Sequence, residues 1–352
     1  MTPPTHAVSA PGPKLTENGL IAALLERVPH ATGLEGPGDD CALLPPALRR
    51  VITTDALIEG THFLRAHPPE ALGYKALAVN LSDVAAMGAR PEAFLLSIGL
   101  PDDLPIGWWE AFCAGLGACA REHGVVVAGG DTVRSRGPIA ITITAWGAAE
   151  RLLERRAGRP GDVLMVAGWI GRSGVGLTRW LAKPMMWAGS TKPTDPDETA
   201  DPCLWHHLRP RPPLWAGPFA ASLGVRCGLD LSDGLATDLP RLAKASGLVL
   251  EVDLAALPED PALDIGPIER AQSGEDYGLC VLAPPALVEA LSERGFVAIG
   301  RALTPPNEVG SSGATVVWRL GAEALDPPTP AFGHFAGDAF LGSSSDARDT
   351  KP

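Results

Sequence analysis

The chain has 352 residues, with 41 acidic against 29 basic side chains and a formal net charge of −12. Its 45% apolar and 20% charged content is enough for real cores and excludes a disordered chain, and its length implies about two domains. The acidic balance excludes a nucleic-acid binder, which needs a dense basic face, and at first sight argues against an anionic substrate too.

Residues 1–14 are Pro-rich and lack an apolar core of the secretory type, so they read as a loose tail. Ile21, Leu24, Leu25 and Val28 recur at helical spacing after Thr16, a suitable N-cap. A Gly/Pro/Asp segment follows at 33–40, then a short β-branched run at 51–54 that predicts a strand. Pro69 opens a helix expected over 70–87, which Gly88 stops. Strands are predicted at 94–100, 125–128 and 139–146, with a helix at 108–123. The polar segment 151–162 reads as a domain junction.

A second α/β pattern starts at Val163. It has helices near 175–181, 235–245 and 287–294, and strands near 225–229, 248–252, 279–282 and 297–302. Residues 183–201, rich in Pro, Thr, Asp and Trp, read as a surface insertion. The expected division is a tail at 1–14, domains at 15–150 and 151–340, and a frayed end at 341–352. No apolar run approaches the roughly 18 residues that span a bilayer, so no membrane partner is expected. The six scattered cysteines have no metal-binding spacing and fit a reducing cytosol, where they serve as small buried hydrophobes.

Five short segments set Asp beside Gly, Ser or Thr at predicted strand ends or turns: Gly36-Pro37-Gly38-Asp39-Asp40, Thr53-Thr54-Asp55, Asn80-Leu81-Ser82-Asp83, Gly129-Gly130-Asp131-Thr132 and Asp230-Leu231-Ser232-Asp233-Gly234. Any one of them is an ordinary turn or cap. Five in one chain suit a hard cation such as magnesium, which takes oxygen ligands and shares them with substrate phosphates. No lysine follows a glycine, so a Walker-type phosphate loop is absent, and neither a G-x-G-x-x-G fingerprint nor a G-x-S-x-G elbow occurs. The Gly-rich stretch 168–176 follows a predicted strand and opens a helix. It reads equally as a tight packing turn or as a seat for an anion at a helix N-terminus.

Taken in order, several stretches resemble thiamine-monophosphate kinases, within the wider superfamily of aminoimidazole ribonucleotide synthetase. They are Gly38-Asp39-Asp40-Cys41-Ala42-Leu43-Leu44, Thr54-Asp55 with Gly60-Thr61-His62-Phe63, the run from Tyr74-Lys75-Ala76 through Asn80-Leu81-Ser82-Asp83 to Met87-Gly88-Ala89, Gly129-Gly130-Asp131-Thr132, His207-Leu208-Arg209-Pro210, Asp230 to Leu235, and Ser273-Gly274-Glu275-Asp276-Tyr277. The match covers residues 15–335, and its long 74–89 stretch makes it specific. It departs from the family at Ser273, where a glycine is usual.

The resemblance implies a mixed α/β, two-domain ATP-binding fold whose N-terminal sheet pairs across a homodimer, in the cytoplasm. It implies ATP as co-substrate, thiamine monophosphate as acceptor and several magnesium ions. Carried onto this chain, the metal ligands would be Asp40, Thr53, Thr54, Asp55, Asp83, Asp131, Asp230 and Asp233. The nucleotide would meet Gly130, Asp131, Arg155 (with Arg156 and Arg159 close in sequence) and Ser232. His62, Glu275 and Phe332 would line the acceptor pocket.

The chemistry is consistent with these residue types. A phosphate monoester, with a second pKa of about 6, is largely dianionic at neutral pH, so the attacking oxygen needs no strong general base. The task is to bring two polyanions together, by positioning and by cations that offset their charge. Direct in-line transfer without a phospho-enzyme is expected. Other readings within the superfamily are a ring-closing synthetase, a selenophosphate synthetase, which would need a reactive Cys in an early glycine-rich loop, and a hydrogenase maturation factor, which would end in a functional Cys. From a different class, a nucleotide sensor could keep the fold without turnover.

Overall fold

The structure is a computed structural model that describes residues 42–43, 49–184, 201–305 and 315–329. The helix expected at 17–28, Asp40, Phe332 and most of the 183–201 segment lie outside these residues.

The first sheet holds β1 (Ala42–Leu43), β2 (Arg50–Ile58), β3 (Arg90–Leu100), β4 (Val126–Arg134) and β5 (Ala140–Ala148), in the spatial order β1-β2-β5-β3-β4 among the described residues. Strand β5 shows why it is a strand: its residues alternate between buried and half-buried along its whole length, with Ile141, Ile143 and Ala145 turned inward. They meet α1 (Pro69–Ala86) and α2 (Ile106–His123), which cover one face of the sheet. Pro69 occupies the first turn of α1, where its missing N–H costs nothing. The helix is buried almost all round, so it shows no apolar stripe. The two helices touch backbone to backbone: a Cβ on Gly115 of α2 would lie 1.7 Å from Glu70 O, so only glycine fits.

The second sheet has the order β12-β11-β8-β10-β6-β9-β7. Its strands are β6 (Val163–Ala167), β7 (Cys227–Leu231), β8 (Val249–Asp253), β9 (Gly278–Ala283), β10 (Val297–Leu303), β11 (Val316–Leu320) and β12 (Glu323–Leu325). The helices of this half are α3 (Arg172–Ala182), α4 (Pro202–Leu208), α5 (Ala216–Leu223), α6 (Leu235–Ser246), α7 (Pro267–Gln272) and α8 (Val288–Ser292). Every residue of β7 and β9 is buried, as expected for strands covered on both sides.

Two expectations change. The run at 51–54 continues to Ile58, and the run at 125–128 continues to Arg134. Thr53-Thr54-Asp55 and Gly129-Gly130-Asp131-Thr132 therefore lie inside strands, not at strand ends or turns. The partner strands decide this. Strand β5 pairs with β2 throughout, and β3 supplies a parallel partner to β4 whose ladder outweighs the poor strand propensity of two glycines. Gly130 has a close neighbour there, since a Cβ would lie 1.8 Å from Leu96 O. The sequence reading also passed over α4, α5, α7, β11 and β12, which are too short for a periodic signal.

Candidate active site

The site begins with the alternation along β2. Rows across the first sheet run Thr53–Ala145–Phe94, then Thr54–Thr144–Leu95, then Asp55–Ile143–Leu96. Successive rows point to opposite faces. The Thr53 and Asp55 rows face α1, where Phe94 and Ile143 are buried.

On α1, Asn80 and Asp83 lie three apart and so share a face. Both meet β2: Thr53 Oγ1 donates to Asp83 Oδ2 at 2.7 Å, and the Asp55 backbone N–H donates to Asn80 Oδ1 at 3.1 Å. One residue before Asp83, Ser82 Oγ donates to Asp230 Oδ2 at 2.9 Å, which ties α1 to the buried end of β7. The buried phenol of Tyr277 registers this gathering of charge. Desolvation, joined by the negative charges of Glu275, Asp55, Asp230 and Asp83, pushes it well above its ordinary range. A recess lined by Ser82, Pro213, Asp230 and Tyr277 lies alongside.

The structure thus brings Thr53, Asp55, Asp83 and Asp230 together, with Glu275 beside them. Ser232 and Asp233 follow β7 directly. Ser232 O accepts from the Glu275 backbone N–H at 2.6 Å, and the Asp233 carboxylate pairs with Arg241. His62 sits in the turn after β2, its Nδ1 accepting from the Ile58 N–H at 3.0 Å.

Other residues stand apart. Thr54 faces away from α1, bonded to Ile143 O and to the Thr144 hydroxyl. Asp131 belongs to the row Ala56–Thr142–Ser97–Asp131, on the Thr54 face, three strand spacings or about 14 Å from β2. The expected convergence of all the aspartates does not include Asp131 within one chain. Arg155 O accepts from Ser246 Oγ and Cys227 Sγ, near the start of β7, whereas Asp230 and Ser232 stand at its other end. Among the described residues no group of three His, Cys, Asp or Glu side chains is close enough to hold a metal ion.

The Gly-rich stretch before α3 is settled by its surroundings. The Asp276 carboxyl group accepts from the Gly171 and Ser173 N–H groups at 2.5 and 2.8 Å, so the helix N-terminus is already capped by a side chain of the chain itself. Burial pushes the Asp276 carboxyl up to about 7, against the pull of those two N–H bonds and of Arg270. An acid with a raised folded pKa keeps a proton that the unfolded chain loses. Its contribution to stability is full below about pH 4 and is lost as the pH rises through about 7. The thermal midpoint should therefore fall between pH 5 and pH 8, and Asp276→Asn should flatten that part of the curve. An unchanged slope in the variant would exclude Asp276 as its source.

Sequence reasoning gave no role to Lys75, His207 or Asp276. The available signal was a lone lysine inside the apolar helix 70–86. Lys75 is buried, its Nζ lying 2.9 Å from Glu275 Oε1 and 3.2 Å from His207 O.

Known proteins share this architecture. Residues 38–149 match the family model of the AIR synthase related protein N-terminal domain, and residues 159–320 that of its C-terminal domain. The thiamine-monophosphate kinase of Salmonella typhimurium is 38% identical over 314 residues, spanning 85% of this chain and 91% of its own. The structure of AaThiL complexed with AMPPCP and TMP superposes with a TM-score of 0.73 at 29% identity, covering 88% of this chain and 96% of that one. The thiamine-monophosphate kinase of Stenotrophomonas maltophilia gives a TM-score of 0.67 at 32% identity, with coverage of 88% and 96%. With relatedness of this extent running through both domains, the chain belongs to the thiamine-monophosphate kinase family of AIR synthase-related proteins.

Proposed function

We propose that this chain phosphorylates thiamine monophosphate with ATP, giving thiamine diphosphate by direct in-line transfer. The observation that carries this reading is the linking of Asp55, Asp83 and Asp230, from three separate elements, through the Thr53–Asp83, Asp55–Asn80 and Ser82–Asp230 hydrogen bonds. The donor set is all oxygen, hydroxyl and carboxylate, which fits magnesium better than a softer metal. When bound, magnesium would act as template and Lewis acid, offsetting charge on the transferring group.

The chain's own residues hold this arrangement in place. The Thr53 and Ser82 hydroxyls fix the Asp83 and Asp230 carboxylates in one orientation each. Asp40, Thr53, Thr54, Asp55, Asp83, Asp131, Asp230 and Asp233 are the proposed ligand set, in which Asp233 would have to share or leave Arg241. Gly130, Asp131, Arg155 and Ser232 are proposed for the nucleotide, and His62, Glu275 and Phe332 for the acceptor. A dianionic acceptor needs no base, which agrees with a site built of ligands rather than of a nucleophile and its partner.

Strand β4 supports the proposed homodimer. Among the described residues it is an edge strand, exposed along its whole length, with Val126, Val127 and Val133 each more than half exposed. Such an edge is normally covered. Pairing there would also carry Asp131 to a neighbouring chain. The proposed setting is the cytoplasm; among the described residues no helix is long and apolar enough to cross a membrane.

The test is a product assay. The full chain, incubated with ATP, magnesium and thiamine monophosphate, should yield thiamine diphosphate on chromatography. Turnover of formylglycinamidine ribonucleotide instead would indicate a ring synthetase, and ATP binding without turnover of any acceptor would indicate a sensor.

A further inference from the structure

Lys75 is fully buried on α1. Burying an ammonium carries a large desolvation cost, and a buried ion pair can often be replaced by apolar side chains without loss of stability. Stability alone is therefore a poor reason for this lysine. Its partner is unusual as well. Glu275 (φ 62°) and Tyr277 (φ 52°) are the non-glycine residues with left-handed backbone among those described. Such conformations persist where the surroundings over-determine them, and they cluster at ligand sites.

The surroundings of this turn are extensive. The Glu275 and Tyr277 N–H groups donate to Ser232 O and Leu231 O, and the Asp276 carboxylate between them caps α3. Lys75 completes the arrangement from the other half of the chain, meeting one Glu275 carboxylate oxygen while the other lies 3.4 Å from His207 Nδ1. Burial, with Lys75 and His206 adding to it, keeps His207 well below its ordinary pKa and hence neutral. The charge that faces Glu275 here is that of Lys75. The Glu275 side chain nevertheless stays 31% exposed, so it remains within reach of a ligand.

We propose that Lys75 is a positioning residue of the acceptor site: across the two halves of the chain it holds the Glu275 carboxylate where the positively charged part of the acceptor meets it. The proposal rests on the reading that Glu275 lines the acceptor pocket. Lys75 itself touches no substrate.

Steady-state kinetics on the full chain test it, with Lys75→Met, Glu275→Gln and the double variant. Each single change should raise KM for thiamine monophosphate by about tenfold, the value of one charge-assisted hydrogen bond, and leave KM for ATP within about twofold. The double variant should be no worse than Glu275→Gln alone, because Lys75 acts through Glu275. Lys75→Gln, which can still donate to His207 O, carries the same test should the methionine variant not fold. If Glu275→Gln raises KM for the acceptor but the Lys75 change does not, or if the two effects multiply, the positioning role is overturned and the pocket reading survives. If Glu275→Gln leaves that KM unchanged, the pocket reading falls and the proposal with it.

Discussion

Asp83→Asn is expected to lower turnover by about a hundredfold or more while the chain stays folded, the size of effect seen when one well-placed electrostatic contact is lost. The substitution is nearly isosteric. An amide oxygen can still accept from Thr53 Oγ1, so the tie between α1 and β2 survives. What disappears is one negative charge from the group Asp55, Asp83 and Asp230. A wild-type melting profile with a collapsed kcat is the expected result. Near wild-type turnover at saturating magnesium would remove Asp83 from the ligand set.

Asp131→Asn should also cost about a hundredfold, but its behaviour in mixtures is the sharper result. Asp131 stands on the exposed edge strand, three strands from Asp55 and on the opposite face of the sheet. If it serves catalysis, it serves a site completed by another copy of the chain. Equal amounts of the Asp83→Asn and Asp131→Asn proteins, each nearly inactive, should then recover roughly a quarter of wild-type activity on subunit exchange. Half the dimers would be mixed, and each mixed dimer would hold one intact site. No recovery, with subunit exchange verified, would mean that Asp131 does not work across the pairing.

The apparent conflict between a net charge of −12 and two anionic substrates is resolved by placement. Asp55, Asp83 and Asp230 all add their negative charge to the surroundings of one buried phenol, where bound cations would reverse the local sign. Elsewhere acidic groups are matched within the fold, as Asp260 is by Arg172 and Glu251 by Arg301 and Arg319. The charge total therefore says little about the site.

Sequence alone determined the long elements and the residue types offered to the site. Pro69 and Gly88 mark α1 because a ring without an N–H and a residue free to turn left-handed act locally. The Asn80–Asp83 face follows from helical spacing, and the oxygen-rich motifs follow from residue type. Only the tertiary structure decided how far β2 and β4 extend, because a strand ends where its partners end. It alone separated Asp131 and Thr54 from Asp55, since a strand turns successive side chains to opposite faces and register is set by long-range pairing. It filled the anion seat of α3 with Asp276, a residue more than a hundred positions away. It also gave Lys75 its partner on the far side of the chain, 200 residues away in sequence, an ion pair that no local pattern encodes.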